Sequence, residues 1–361
     1  MAEALPLDPS LLRDPGEAVA FDQRALARYL AENGHVLDTG PLRQFAGGYA
    51  NLNWLIRIDG IWAVLRRPPP GELPKGGNDM AREHRALSVL APVWPLAPRP
   101  LVFCDDTSVL GAPFLISEFR AGLPLHGTQP LGPGMTEDEA RRLSLLQIDI
   151  LAQLHRLDPV ATGAGILGKT GGFAARTLRG WSARLEAAGE RAPSEARALF
   201  SRLAAMTPED ARVAIIHNDF KLDNVVVDPL TLEPTAVLDW DMATLGAPFF
   251  DLATLLGYWA APDDPEGLRA INLTHSAAPG ALSRRALVDA YMRATGCDSA
   301  ADEADLRLFL ALAFAKLGVV CLQLHDRFRA DPVANARHAK FGAAAPGAFA
   351  RGLDTLDGGL I

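Results

Sequence analysis

Hydrophobic and polar positions divide the chain into an alternating first third and a largely helical remainder. Leu42 to Ala46, Asn51 to Ile58 and Ile61 to Arg67 read as half-buried strands, and Asp59-Gly60 between the last two is a two-residue hairpin signal. Leu101 to Cys104 and Pro113 to Phe119 add two more strands, so a five-stranded sheet is predicted. Asp22 can cap a helix whose Leu26, Tyr29 and Leu30 share one face and which ends near Gly34. Asn78 or Asp79 caps another, running through Leu90, that packs on the sheet. After residue 122 the period turns helical, over 136–157, 174–188, 193–206, 249–259, 283–295 and 302–325. Among these helices stand two short apolar runs, Val225 to Val227 and Thr235 to Leu238, which read as a hairpin turned at Asp228-Pro229.

The polar residues beside that hairpin are of a particular kind. His217-Asn218-Asp219-Phe220-Lys221-Leu222-Asp223-Asn224 leads into its first strand, and Asp239 ends its second. Phosphoryl transfer from ATP is mostly positioning plus electrostatics, and needs a carboxylate to orient the attacking hydroxyl, oxygen ligands for Mg²⁺ and a cation on the phosphates. Asp219 suits the first task and Lys221 the last, while Asn224 and Asp239 leave a hard cation room for phosphate oxygens and water. Each residue alone is also an ordinary turn residue; the combination at this spacing points to a kinase. His217 reads as a structural residue holding the loop, and Asp251 as a carboxylate at a helix start that supports it.

The segment resembles the catalytic loop of the aminoglycoside phosphotransferase and choline kinase superfamily, itself similar to protein kinases. Further pieces follow in family order across residues 22 to about 330: Gly47-Gly48-Tyr49-Ala50-Asn51-Leu52-Asn53-Trp54, Val64-Leu65-Arg66-Arg67-Pro68-Pro69, Arg82-Glu83-His84-Arg85, Leu238-Asp239-Trp240, Gly246-Ala247-Pro248 and Asp251-Leu252. They are similar to the phosphotransferase family related to the N-terminal domain of acyl-CoA dehydrogenase 10 and 11 type proteins. The resemblance implies an α+β, protein-kinase-like fold of two lobes. Residues 1–118 would form a small nucleotide-binding lobe of five antiparallel strands, and 119–361 a larger, mainly helical lobe for catalysis and acceptor binding, with a hinge near 117–122. Within the small lobe, Gly47 and Gly48 would bring bare backbone to the phosphates. Arg66 stands where such kinases carry their phosphate-binding Lys, with Glu83 as its ion-pair partner. The Ser117 carbonyl and Phe119 amide would meet adenine. Arg keeps the charge of Lys but not its shape, so the phosphate contact is expected to differ.

Composition narrows the partners. A length of 361 residues with 49% hydrophobic content suits two cored lobes, and a net charge of -8 argues against a nucleic-acid partner. Cys104, Cys297 and Cys321 lie far apart with no CxxC or paired-His spacing, so neither a disulfide framework nor a zinc site is expected. Without a basic start followed by an apolar run no signal peptide is expected, and a cytoplasmic location follows. The apolar run Leu308 to Leu324 is broken by Lys316 and reads as a buried helix of the large lobe, not a membrane span. The oligomeric state stays open.

For the acceptor, Arg327, Arg329, Arg337 and Lys340 against Asp326 and Asp331, together with Arg176, Arg179 and Arg184, favour an anionic small molecule. A hydroxyacyl-CoA or hydroxy acid, which the named branch also implies, fits better than the cations taken by aminoglycoside or choline kinases. An aminoglycoside- or choline-type kinase stays the alternative within this chemistry, and two other readings stay open. One is a catalytically silent nucleotide-binding protein on the same fold. The other is a P-loop NTPase, because Gly163-Ala164-Gly165-Ile166-Leu167-Gly168-Lys169-Thr170 satisfies GxxxxGK[ST]. A working P-loop follows a strand and opens a helix. Here a helical pattern, Leu143 to Leu157, precedes the match and Gly171-Gly172 follows it, so a loop is expected.

Overall fold

A computed structural model describes residues 5–38, 40, 42–46, 51–69, 78–125, 134–206, 212–272, 274–297, 299–333 and 335–359. In chain order the elements are α1 (Gln23–Glu32), β1 (Arg43–Gln44), β2 (Leu52–Ile58), β3 (Ile61–Arg67), α2 (Met80–Leu90), β4 (Pro100–Cys104), α3 (Thr107–Leu110), β5 (Phe114–Glu118) and β6 (Leu123–Pro124). Then come α4 (Glu137–His155), α5 (Phe173–Glu186), α6 (Ser194–Ala205), β7 (Ala214–Ile216), β8 (Val225–Val227), β9 (Pro234–Val237) and β10 (Thr244–Gly246). The last are α7 (Pro248–Tyr258), α8 (Glu266–Arg269), α9 (Arg284–Thr295), α10 (Ala300–Ala330) and α11 (Phe341–Leu356).

Two compact units emerge, one of residues 1–124 with 225–243 and one of 125–224 with 244–361. The first unit holds the expected antiparallel sheet, in the order β1-β2-β3-β5-β4. Asp59 and Gly60, at φ 52 and 78, make the tight turn that sets Ile58 opposite Ile61. That register puts Trp54, Ile56, Ile58, Ala63 and Leu65 into a core closed by Leu26 and Leu30 of α1 and by Phe114 and Ile116 of β5. Burying each large side chain contributes roughly 1.5–3 kcal/mol. Asp22 and Asp79 accept hydrogen bonds from the first amides of α1 and α2, as expected of caps. The unit differs from the predicted small lobe in two ways. It runs past residue 118, and it includes the hairpin β8-β9, which pairs with β6 in a three-stranded sheet.

Helices dominate the second unit. α10 carries 31 residues behind a capping box of Ser299 and Asp302, and it packs on α5, α6, α7 and α11. By length and composition it could cross a membrane, but 67% of its most apolar window is buried inside the protein. The expected buried helix is therefore what the run forms. α11 was not foreseen. Its small residues let it lie tight against α10, where a Cβ on Gly318 would stand 2.5 Å from the Phe349 ring. Arg351 of α11 and Arg284 of α9 both bond the fully buried carboxylate of Asp264, Arg284 through two contacts of 2.9 and 2.8 Å.

Candidate active site

The loop from His217 to Asn224 leaves β7 and closes with a 3₁₀ turn over Leu222–Asn224. Its backbone is held from the first turn of α7, where the buried carboxylate of Asp251 accepts the His217 and Asn218 amides at 2.6 Å each. His155 contacts the same carboxylate at 3.3 Å. Asn218 sits at φ 67, in the left-handed region that Asn enters more readily than most non-glycine residues. The expected support of the loop by Asp251, and the structural place of His217, which is fully buried, are therefore visible in the geometry.

Three groups converge on Asp219. Lys221 pairs with Oδ2, the Tyr258 hydroxyl donates to Oδ1 at 3.2 Å, and the Lys316 ammonium lies 3.5 Å from Oδ1. Lys316 also donates to the Asn218 carbonyl at 2.7 Å, tying α10 to the loop. Burial pushes the Asp219 carboxyl upward, but the Lys221 and Lys316 charges more than offset it and hold the group well below the usual carboxylate range. The Tyr258 hydroxyl is shifted the other way, upward, by its own burial and then by the Asp219 charge. Lys316 is buried, and burial lowers its pKa. Sequence reasoning missed both Lys316 and Tyr258 as functional residues. The available signal was that Lys316 is the single charge in the run from 308 to 324.

Asn224 donates through Nδ2 to the Asp219 carbonyl at 3.1 Å, which aims the amide and leaves Oδ1 as the atom for an external cation. Asp239 belongs to the other unit and sits at φ 70, the left-handed region again. Arg66 of β3 pairs with Asp239 and, at 2.9 Å, with Glu83 of α2, so the expected Arg66–Glu83 ion pair is present. One guanidinium thus faces several carboxylates. Burial pushes Glu83 up to about 8; the Arg66 charge opposes this, and Asp239 and Asp241 add to it. Among the described residues no three His, Cys, Asp or Glu side chains form a metal-holding group. Mg²⁺ in phosphoryl-transfer sites asks for less: one or two protein oxygens, with phosphate and water completing its shell. The Asn224 amide oxygen and, in the other unit, the Asp239 carboxylate are each a hard oxygen donor of the kind Mg²⁺ takes.

The remaining predicted positions fare unevenly. Gly47 and Gly48 lie outside the described residues. Ser117 lies within β5, opposite Val64 of β3 and Pro100 of β4. The Phe119 amide, expected to meet adenine, instead donates to the Trp62 carbonyl at 3.1 Å, because pairing with the β3 segment continues one residue past β5. The P-loop match forms a 3₁₀ turn, Ala164–Leu167, and a loop whose Lys169 carbonyl accepts from Arg176 at 3.2 Å. A helix does open soon after it, at Phe173, but α4 and a turn precede it where a P-loop needs a strand.

A sequence profile described as "Phosphotransferase enzyme family" matches residues 41–309. Acyl-CoA dehydrogenase family member 10 of Mus musculus is 31% identical over 252 residues, which cover 69% of this chain and 23% of the mouse protein. Member 11 of Homo sapiens is 28% identical over 319 residues, covering 85% of this chain and 40% of the human one, so the chain spans less than half of either relative. Among solved structures, a putative aminoglycoside phosphotransferase from Ralstonia eutropha JMP134 superposes with a TM-score of 0.74 at 26% identity, covering 94% of this chain and 99% of the other. A thermostable mutant of aminoglycoside phosphotransferase APH(4)-Ia, in ternary complex with ADP and hygromycin B, gives 0.56 at 16% identity, covering 90% and 99%, and bears on the fold alone. The architecture is the kinase-like one of these enzymes, a five-stranded antiparallel N-lobe sheet with a mainly helical C-lobe. Profile match, relatives and fold agree: the chain belongs to the phosphotransferase enzyme family.

Proposed function

We propose that this protein is a Mg-ATP-dependent kinase that phosphorylates a hydroxyl of a small molecule. The observation that carries the reading is the Asp219 carboxylate, kept ionised by Lys221 and Lys316 and steadied by Tyr258 on a loop fixed by Asp251. Such a carboxylate is a weak base and a good hydrogen-bond acceptor. Its role is to orient the acceptor hydroxyl and take its proton late, once the oxygen has begun to bond to phosphorus. Asn224 and Asp239 are the proposed Mg²⁺ ligands, Arg66 neutralises phosphate charge, and Glu83 positions Arg66. Bound Mg-ATP supplies the transferable phosphoryl group and the charge compensation on its oxygens. Lys221 neutralises the γ-phosphoryl as transfer proceeds.

For the acceptor, the cationic surroundings of Asp219 favour a neutral or anionic alcohol over an aminoglycoside or choline, and a hydroxy acid or hydroxyacyl-CoA meets that condition. The acyl-CoA dehydrogenase names of the relatives support the same class. The test is ADP release by the purified chain with Mg-ATP and a panel of hydroxyacyl-CoAs, hydroxy acids, choline and aminoglycosides. Stimulation by the hydroxyacyl or hydroxy-acid members is expected. Release stimulated only by choline or aminoglycosides overturns the acceptor class, and Mg-ATP binding without release in any member supports the silent-binder alternative.

A further inference from the structure

Beside Asp219 the two helices that supply Tyr258 and Lys316 enclose a small pocket, lined by Thr254, Gly257 and Tyr258 of α7 and by Ala313, Lys316 and Leu317 of α10. Three features of its lining are left unexplained by the protein's own packing. The Thr254 hydroxyl is buried without a hydrogen-bond partner, although a helical Thr ordinarily donates to the carbonyl one turn back. An ammonium has three N–H groups. Lys316 spends one at 2.7 Å on the Asn218 carbonyl, reaches Asp219 only at 3.5 Å and otherwise lies over the Phe250 ring at 5.6 Å, so it can still donate to an oxygen placed beside it. Gly257 is buried within α7, yet a Cβ there would meet nothing within 4 Å. Glycine near a helix end disfavours the helix by up to about 1 kcal/mol relative to Ala, and no neighbouring atom requires it.

We infer that this pocket seats an oxygen of the acceptor other than its reacting hydroxyl, a carbonyl or carboxylate oxygen held by the Thr254 hydroxyl and the Lys316 ammonium. The inference deepens the proposed kinase reading and rests on it for the placement of the hydroxyl at Asp219. Unmet buried donors call for an acceptor-only group, and both Thr254 and Lys316 can donate to one. The open space at Gly257 gives that group its room, which is little more than that of one water-sized atom. A cationic group is refused there, because Lys221 and Lys316 already press on each other across Asp219. The substrate class selected is therefore an alcohol with a nearby C=O, a hydroxy acid or its ester or thioester, over a polyol or an amino-sugar.

The test uses the full chain and three matched probes: β-hydroxybutyrate, its methyl ester, and the corresponding butanediol that lacks the carbonyl. Calorimetric Kd values are measured for each probe, with kcat and KM from Mg-ATP-coupled ADP release. Thr254→Val keeps the shape of the side chain and removes the donor. It is expected to weaken binding of the acid and ester about tenfold, in KM more than in kcat, and to move the diol far less. Gly257→Ala is expected to keep or raise thermal stability while weakening all three probes by crowding. Lys316→Arg, which keeps the charge, is expected to retain more discrimination between ester and diol than Lys316→Met. Equal binding of ester and diol by the wild type, or unchanged Kd values in both Thr254→Val and Gly257→Ala, overturns the inference. Calorimetric binding that responds to these substitutions with no ADP release from any probe would instead leave the subsite standing and overturn the kinase reading.

Discussion

The two carboxylates that matter most here live in opposite electrostatic worlds. Asp219, in the helical unit, is surrounded by donors: two ammonium groups and a phenol share one carboxylate. Asp239, in the β unit, has the reverse surroundings, where one guanidinium is shared with Glu83 and Asp241 stands nearby. At the first centre the carboxylate keeps its charge. At the second, carboxylates gather around Arg66, and burial above all, with Asp239 and Asp241 adding to it against Arg66, pushes the Glu83 carboxyl up to about 8. A carboxylate paired with cations is suited to orienting a hydroxyl, and carboxylates gathered together are suited to a cation. On that difference rests the proposed division between acceptor handling at Asp219 and metal handling at Asp239.

The largest way to break the comparison is Asp219→Asn, which keeps shape and removes charge. Transfer should fall by a factor of at least about 1,000 in kcat, measured by ADP release under saturating Mg-ATP. Next is Lys316→Met. Loss of the bond to the Asn218 carbonyl and of one charge beside Asp219 is expected to lower thermal stability by about 2 kcal/mol and kcat by roughly tenfold to a hundredfold.

A third prediction concerns protons at the other centre. Glu83 has a folded pKa raised from 4.5 to about 8, so its contribution to stability is full below 4.5 and is lost as pH rises through about 8. A cation bound beside Asp239 lowers that pKa. Binding of Mg²⁺ near pH 7 should therefore release up to about one proton, read by calorimetry in buffers of different ionisation enthalpy, and Glu83→Gln should abolish the release. Asp219 behaves oppositely: its pKa lies below 3.8 in the folded chain, its contribution to stability is full above that value, and it is lost only as pH falls toward the depressed one. No acid limb in kcat between pH 5 and 8 should trace to it. The smallest effect expected is that of Lys169→Ala, within about twofold in kcat and KM, because the loop it occupies lacks the strand a P-loop requires.

Much of this was legible before any coordinates, and the parts that were not share a cause. Strands β2 and β3 announced themselves through alternation and the Asp59-Gly60 turn, and the caps of α1 and α2 through Asp22 and Asp79, because those signals are local. α11 escaped because Gly342, Pro346, Gly347 and Gly352 are poor helix formers that hide its periodicity. What makes it a helix is close packing, with Phe349 against Gly318 and with Gly352, where a Cβ would stand 2.5 Å from Leu199. The catalytic loop was readable as a string of residues, whereas the partners that set its chemistry come from positions 258 and 316. Such contacts carry no local signature beyond a lone charge in an apolar run. The Phe119 expectation failed for the same reason, since a backbone amide's partner is decided by strand pairing that side-chain identity does not reveal.

The central claim is that the two carboxylates divide the work, and titration calorimetry of nucleotide binding tests it most directly. Wild type, Asp219→Asn and Asp239→Ala are titrated with ATP, with and without Mg²⁺. The account predicts that Asp219→Asn binds Mg-ATP within about twofold of wild type, and that Asp239→Ala loses the gain in affinity that Mg²⁺ confers. Mg²⁺-dependent affinity intact in Asp239→Ala, or lost in Asp219→Asn, would contradict it.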